Sequence, residues 1–216
     1  MVERSASEAP TAVRLIGAPT DIGASMRGAT LGPDALRVAG LPHALQQLGL
    51  VCDDAGNLPG PINPWEAPLN GYRHLPQVVA WNAAVHQAVY AALKAQHLPI
   101  LLGGDHCLAI GSISAVARRC AELGQRLRVI WLDAHADFNT SAITPSGNLH
   151  GMPVAVLAGH GPQPLVQMTL GAGGARPGDA VVVSGPIGNH GVAILSVRDG
   201  AFISLLEPPA EAVEAA

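Results

Sequence analysis

The chain has 216 residues, of which 49% are hydrophobic and 13% are charged, and its formal net charge is −4. This balance is typical of a globular protein with a buried core and excludes a disordered chain. No basic cluster occurs, which excludes a nucleic-acid-binding surface, and no apolar run approaches the length of a membrane span. We therefore expect one domain, or one and a fraction, with no nucleic-acid partner and no membrane contact.

The three cysteines, Cys52, Cys107 and Cys120, are odd in number and lack the spacing of a zinc site. We expect buried free thiols in a reducing compartment. Cys107 follows His106 directly, but neighbouring side chains diverge and no base is indicated, so we do not expect a nucleophile. The first residues contain no apolar segment of a secretory signal peptide, and we predict a cytoplasmic protein.

The first half of the chain predicts one strand and two helices. Residues 13–19 form an apolar run that predicts the strand. Gly32 and Pro33 open a helix that we expect to continue to about residue 48, since proline is favoured in a first helical turn. Residues 51–68 are rich in turn-forming types and are predicted to be irregular. Residues 77–97 place apolar side chains on one stripe and predict the second helix.

Two further strands are predicted in the middle of the chain. An apolar run at 100–102 leads into two glycines, an aspartate and His106, and an amphipathic helical pattern follows at once. This is the strand–turn–helix unit of an α/β fold, in which ligands collect beyond the carboxyl ends of parallel strands. A second run at 129–132 ends at Asp133, and we expect its strand to lie beside the first in one parallel sheet. His106 and Asp133 should therefore meet at one edge of that sheet.

Asp133, His135 and Asp137 occupy every second position directly after this last strand. Two carboxylates and an imidazole form a hard oxygen and nitrogen ligand set, which suits Mn²⁺ and similar divalent ions. The alternative is an acidic, solvated strand-to-loop turn without a metal, because short motifs of this kind produce false positives. The expected convergence with His106 favours the metal site.

A long loop at 141–153 carries three polar side chains, Ser146, Asn148 and His150. Loops on a rigid scaffold commonly hold substrate-binding groups, although serine and asparagine also make turns without a functional role. We place His160 and His190 in loops and expect no catalytic role for either.

The chain changes in character after about residue 165. A glycine-rich stretch at 170–177 lacks the spacing of a phosphate-binding loop. Residues 180–185 predict a strand, and residues 188–195 predict either a helix or a further strand. Residues 208–216 predict a frayed tail.

Four blocks of the chain together resemble the arginase (ureohydrolase) family over roughly residues 13–166. In chain order they are 16–19 (Ile-Gly-Ala-Pro), 103–106 (Gly-Gly-Asp-His) with 109–114 (Ala-Ile-Gly-Ser-Ile-Ser), 133–139 (Asp-Ala-His-Ala-Asp-Phe-Asn) and 146–153 (Ser-Gly-Asn-Leu-His-Gly-Met-Pro). The last block is more similar to arginase than to agmatinase. The resemblance implies an α/β fold of three layers, a parallel sheet flanked by helices as in arginases and deacetylases, here in truncated form.

The resemblance also implies a reaction, the manganese-dependent hydrolysis of L-arginine to L-ornithine and urea by a hydroxide that bridges two Mn²⁺ ions. His106, Asp133 and Asp137 match ligands of one ion. His135 and the bridging Asp133 match ligands of the other.

Three further residues match functional positions of the family. His150 matches the proton-shuttle histidine, whose ordinary pKa suits acid and base work, and it joins Asp137 as an expected catalytic residue. Asn139 and Ser146 match residues that bind the α-carboxylate of the substrate, in agreement with their hydrogen-bonding groups.

The chain departs from the family after Asp137. The family takes further metal ligands from a later Asp-x-Asp pair and uses a later glutamate to bind the guanidinium. No Asp-x-Asp follows Asp137 here, and the remaining carboxylates, none in a matching context, are Asp179, Asp199, Glu207, Glu211 and Glu214. With too little negative charge between two dications, we expect weak metal binding, with one ion or none.

Residues about 174–198 resemble an internal segment of the hydrogenase maturation protein that dehydrates carbamoyl groups. We therefore predict an arginase-like α/β domain at 1–166 and an unrelated Gly/Pro-rich tail at 167–216. An arginase-type hydrolase is favoured; the alternatives are a catalytically silent protein with part of the metal site and a hydrogenase maturation accessory. A truncated sheet would expose apolar edge surface, so we expect a homo-oligomer or an aggregation-prone chain.

Overall fold

The computed structural model describes residues 12–133, 135–171, 182–184 and 192–195. Its strands are β1 (Ala12–Ala18), β2 (Val51–Asn57), β3 (Leu98–Gly103), β4 (Ile130–Asp133), β5 (Val182–Ser184) and β6 (Val192–Leu195). Its helices are α1 (Gly32–Val38), α2 (Leu41–Gln47), α3 (Leu75–Lys94), α4 (Ala109–Glu122), α5 (Pro153–Leu157) and α6 (Gln163–Gly171). Short 3-10 turns occur at Ala29–Leu31, His106–Leu108 and Leu149–Gly151.

β1 is the central strand of a parallel sheet with the order β2-β1-β3. Because successive side chains of a strand point to opposite faces, β1 supplies two separate cores. Val13 and Leu15 pack on one face with residues of α2, whereas Ile16 and Ala18 pack on the other face with α3 and the turn before α4. The sheet is thus the middle layer between helices, as the sequence predicts.

α3 and α4 cross at close range on one face of the sheet. The buried Asn82 accepts a hydrogen bond from the backbone N–H of Gly111 at 2.7 Å. A Cβ at Gly111 would lie only 2.3 Å from the carbonyl oxygen of Asn82, so glycine permits this approach. α6 joins the same layer through Leu165 and Val166, and Thr169 lies 3.2 Å from the hydroxyl of Ser114.

Two sequence expectations for the first half of the chain are wrong. The single helix expected from Gly32 to about residue 48 is divided into α1 and α2, because Gly40 has a left-handed φ of 89° and a proline follows in the first turn of α2. The segment expected to be irregular at 51–68 begins with β2, which is largely exposed and pairs with β1 at the edge of the sheet. The helix expected at 77–97 begins at Leu75 and ends at Lys94.

The expected place of β4 beside β3 in one parallel sheet is also wrong. β4 pairs antiparallel with β6, with Asp133 opposite Val192, and β6 pairs antiparallel with β5. This short strand satisfies its backbone groups in that second sheet and not at β3. The strand expected at 180–185 is confirmed at β5, and of the two possibilities for 188–195 the strand is observed, at β6.

Several expectations fall outside the described residues, namely His190, most of the glycine-rich stretch and the tail at 208–216. His160 is described and lies in the loop after α5, as expected, with its ring 5.9 Å from that of Phe138. Within the described part of the chain, no helix has both the length and the apolar character needed to cross a membrane.

Candidate metal and substrate site

β3 and the turn after it deliver His106 to the candidate site. Gly104 has a φ of 81°, and a Cβ there would lie 2.2 Å from the carbonyl oxygen of Ala18, so the turn requires glycine. Asp105 caps the following 3-10 turn by accepting from the N–H of Cys107 at 2.9 Å, while its own N–H donates to the carbonyl of Thr20 at 2.8 Å. These contacts fix the backbone on both sides of His106.

β4 and its loop deliver the two aspartates. Asp133 is the last residue of β4. Asp137 has a left-handed φ of 47°, and its carbonyl oxygen accepts from the N–H of Val154 at 3.0 Å at the start of α5. This anchor turns the Asp137 side chain inward, where only 6% of it is exposed.

Three of the four expected metal ligands meet at one point. The Nδ1 atom of His106 lies 3.1 Å from Oδ2 of Asp133 and 2.8 Å from Oδ2 of Asp137. One ligand atom from each residue lies within 4.8 Å of the others, a separation that one metal ion can span. The His106 ring stacks on Trp131, with ring centres 4.6 Å apart. The convergence expected from the sequence is thus observed, although the two strands belong to different sheets.

The electrostatics of this cluster favour a cation. Burial by itself lowers the pKa of His106, but Asp137 and Asp133 outweigh it and the pKa rises above its ordinary value. The Oδ2 atom of Asp137 is buried, and no hydrogen bond to it is assigned among the described residues, although Nδ1 of His106 lies 2.8 Å away. A buried carboxylate oxygen without a donor is costly unless a cation compensates it.

His135 lies outside this cluster. Its side chain is 76% exposed, and its Nδ1 atom lies 3.1 Å from Oδ1 of Asp133. Its backbone N–H donates to the same oxygen at 2.8 Å. Asp133 therefore directs one carboxylate oxygen towards His106 and the other towards His135. Its carboxylate group lies between the two histidines.

The loop after Asp137 brings His150 towards the cluster. Its Nδ1 atom lies 3.6 Å from Oδ2 of the buried Asp105, and its backbone N–H donates to the carbonyl of Gly23 at 3.3 Å. The pKa of His150 is raised, first by Asp105 and then by Asp137, although burial and His106 oppose the rise. Asp105 is a site residue that sequence reasoning did not single out; its position directly before His106 was the available signal.

Asn139 and Ser146 lie on the same loop system. Asn139 is exposed, and its N–H donates to the carbonyl of Gly151, the residue after His150. The half-buried Ser146 accepts from the N–H of Asn148 at 3.2 Å through its hydroxyl oxygen. The structure therefore ties the segment of Asn139 to that of His150. Among the described residues, the hydroxyl of Ser146 accepts one hydrogen bond, so its hydrogen can be donated to another partner.

Two other features complete the surroundings of the site. A cleft of about 400 Å³ opens beside His106 and Asp133 and is lined also by Leu101, Ala109 and Ser112.

Cys107 is fully buried. Burial, followed by the charge of Asp105, raises the pKa of its thiol well above the ordinary value, which disfavours the nucleophilic thiolate. None of the three cysteines forms a disulfide, and the expected burial is observed at Cys107 but not at Cys52 or Cys120, which are partly exposed.

Comparison with known proteins gives the same family throughout. The model of the arginase family matches residues 11–200, beyond the domain boundary expected at 166. The chain is similar to an arginase of Brucella melitensis, with 40% identity over 186 residues, which are 86% of this chain and 56% of that protein. The chain thus spans about half the length of the curated relatives it matches.

Solved structures agree with this result. An arginase of Bacillus subtilis superposes with a TM-score of 0.66 at 35% identity, covering 78% of this chain and 53% of that one. An arginase of Entamoeba histolytica in complex with L-ornithine superposes with a TM-score of 0.67 at 31% identity, covering 74% and 53%. The expected fold class is confirmed. With the family model matched from before β1 to beyond β6, and with the His/Asp cluster lying where the family blocks predict it, this chain belongs to the arginase family.

Proposed function

We propose that this chain carries out the manganese-dependent hydrolysis of L-arginine to L-ornithine and urea. The observation that carries the proposal is the convergence of His106 Nδ1 with the Oδ2 atoms of Asp133 and Asp137. The binding of L-ornithine by the Entamoeba histolytica arginase supports the same product here. The chain covers 56% of the Brucella protein, so the reaction of that longer protein is a proposal for this chain.

The residues present fit a divalent ion of the hard type. Two carboxylates and one imidazole offer oxygen and nitrogen ligands, and the buried Oδ2 of Asp137 has no aligned donor among the described residues. His106, Asp133 and Asp137 would hold one Mn²⁺, and His135 with the other oxygen of Asp133 would contribute to a second position. A bound Mn²⁺ would lower the pKa of a water molecule and so supply a hydroxide that can attack the guanidinium carbon near neutral pH.

The remaining residues act on protons and on the substrate. His150, held beside Asp105, transfers the proton that the leaving amine of ornithine requires, because its imidazole exchanges protons near neutral pH. Ser146 and Asn139 donate hydrogen bonds to the α-carboxylate of L-arginine. Together they orient the guanidinium towards the metal cluster.

A second candidate function has one observation in its favour. No Asp-x-Asp pair follows Asp137 in the sequence. Among the described residues, His135 and the shared Asp133 are then the candidates for the second metal position, and one carboxylate carries too little negative charge to hold a second dication firmly. The chain would then be a catalytically silent member of the family that binds one ion weakly.

Four further expectations remain proposals. We propose a cytoplasmic location, and self-association through exposed apolar side chains of β3 and β4, such as Leu98, Ile130 and Leu132, which is 78% exposed. The boundary at 166 and the hydrogenase-maturation-like segment also remain predictions, because most of residues 167–216 lie outside the described part of the chain.

Urea release from L-arginine and from agmatine, measured side by side with the Mn²⁺-loaded chain, tests the proposed reaction. The proposal requires urea from L-arginine and little from agmatine, because agmatine lacks the α-carboxylate that Ser146 and Asn139 are proposed to bind. The Asp133→Ala variant is the matched negative control. Equal release from both substrates would contradict the assignment of these two residues.

A further inference from the structure

Arg73 lies between two surface segments, and the family motifs do not include it. Its Nε atom donates to the side-chain oxygen of Asn148 at 2.9 Å, and its backbone N–H donates to the carbonyl of Gly147 at 2.8 Å. Its two terminal nitrogens donate to the carbonyl oxygens of Glu66, at 2.6 Å, and Ser146, at 3.4 Å. Among the residues that the structure describes, Arg73 forms no ion pair, so its guanidinium serves as a set of directed donors.

The two segments that Arg73 joins pack closely. Gly147 has a φ of 68°, and a Cβ there would lie 2.6 Å from the Cβ of Pro68. Likewise, a Cβ at Gly71 would lie 2.7 Å from the Cβ of Ser141. The two segments are therefore in contact at these two points, and the hydrogen bonds of Arg73 join them beside this contact.

The same loop is held from its other side. The side-chain amide of Asn148 donates to the hydroxyl of Ser25 at 3.1 Å, and the N–H of His150 donates to the carbonyl of Gly23. Arg73 completes the enclosure of Asn148, which is 7% exposed. Removing the Arg73 side chain would leave the buried side-chain oxygen of Asn148 without its donor, which is unfavourable.

We propose that Arg73 is a positioning residue for the substrate loop: it fixes the backbone of residues 146–148 and thereby the direction of the Ser146 hydroxyl and the approach of His150. The consequence for substrate rests on the proposed function, in which Ser146 binds the α-carboxylate. The role itself follows from the contacts of Arg73 alone. A residue that holds a loop in its bound conformation improves ligand affinity because the loop need not be ordered on binding.

Amide hydrogen exchange in the metal-free chain tests the role without any reaction. Arg73→Met should raise the exchange rates of the Gly147 and Asn148 amides about tenfold, since it removes directed hydrogen bonds to this loop. Arg37→Met is the matched control: Arg37 is also a half-buried arginine, and it pairs with Asp54 at 2.8 Å near β2. The control should leave both amides unchanged. Unchanged exchange in Arg73→Met, or an equal rise in Arg37→Met, would overturn the proposal.

The binding of L-ornithine to the Mn²⁺-loaded chain separates positioning from general stability. Arg73→Met should weaken L-ornithine binding about tenfold while the affinity for Mn²⁺ stays that of the wild type. An equal loss of Mn²⁺ affinity would contradict a role confined to the loop. If the wild-type chain binds no L-ornithine, the proposed function fails, and the exchange experiment still decides the role of Arg73.

Discussion

The Oδ2 atom of Asp137 lies 2.8 Å from Nδ1 of His106, with no hydrogen-bond donor among the described residues aligned with that oxygen. A strained backbone conformation at Asp137 and a glycine turn before His106 bring these two atoms together. A fold rarely retains a buried carboxylate oxygen without a donor, because burial of an unpaired charge is costly. A positive charge at this point compensates the carboxylate, and the two candidates are a protonated His106 and the metal ion proposed above.

The first prediction concerns the metal cluster. His106→Ala and Asp133→Ala should each abolish Mn²⁺ binding, because each removes one of the three converging ligands. Isothermal titration of Mn²⁺ into the metal-free variants measures this. Asp53→Asn is the control, since Asp53 pairs with Arg14 at the surface. If either alanine variant retained the wild-type affinity for Mn²⁺, the metal would bind at a different site.

The second prediction concerns His150. His150→Ala should lower urea release by about 10²-fold to 10⁴-fold, the usual contribution of a positioned proton donor or acceptor. The Mn²⁺ content should stay unchanged, because His150 contacts Asp105 and not the cluster of three ligands. Metal analysis of the same sample provides the control. A loss of metal together with activity would show that His150 is a ligand.

The third prediction concerns the crossing of α3 and α4. Gly111→Ala should lower the free energy of unfolding by about 1–3 kcal/mol, because the new Cβ would meet the backbone carbonyl of Asn82, which cannot turn away. Denaturant titration followed by circular dichroism measures the loss. Ser112→Ala, one residue along the same helix, should have a small effect. If Gly111→Ala and Ser112→Ala lowered the free energy of unfolding equally, the loss would come from a change within α4 and not from contact with Asn82.

The fourth prediction concerns pH and His86 on α3. Burial, followed by Arg118, lowers the pKa of His86, and its Nδ1 atom is buried without an aligned partner among the described residues. Because the pKa of His86 in the folded state lies below the unfolded value of about 6.5, the contribution of neutral His86 to the free energy of unfolding is fully present above that pH. It is lost as the pH falls through the folded pKa.

The measurement is the denaturation midpoint as a function of pH for the wild type and for His86→Gln. The difference between the two curves should be constant above about pH 6.5 and should change below it in the direction of relative destabilisation of the wild type. Using the difference cancels the contributions of the other histidines. Parallel curves over the whole range would mean that His86 titrates equally in both states.

Much of the fold followed from local sequence signals. The apolar run of β1 and the stripe of α3 were sufficient to predict both elements. β2 was missed because its sequence, Val-Cys-Asp-Asp-Ala-Gly-Asn, is polar and lacks alternation, and its pairing with β1 depends on tertiary contact. The break between α1 and α2 had a local signal in Gly40 and the proline after it, which the prediction of one helix overlooked.

The candidate site was predictable in its ligand types and less so in its surroundings. The convergence of His106, Asp133 and Asp137 followed from their positions at strand ends, even though β4 pairs with β6 and not in the sheet of β3. Arg73 had no local signal, because its partners Ser146 and Asn148 lie far along the chain and meet it only in the folded structure. The roles of His150, Ser146 and Asn139 stay predictions.

The most direct test of the account is to incubate the purified chain with Mn²⁺ and to measure bound manganese and urea release from L-arginine in the same sample. The account predicts bound manganese and urea release that both disappear in Asp137→Asn, because this change removes the charge of the buried carboxylate from the cluster. Bound manganese without urea would favour the catalytically silent alternative and contradict the proposed reaction. A chain that binds no manganese would contradict the metal site itself.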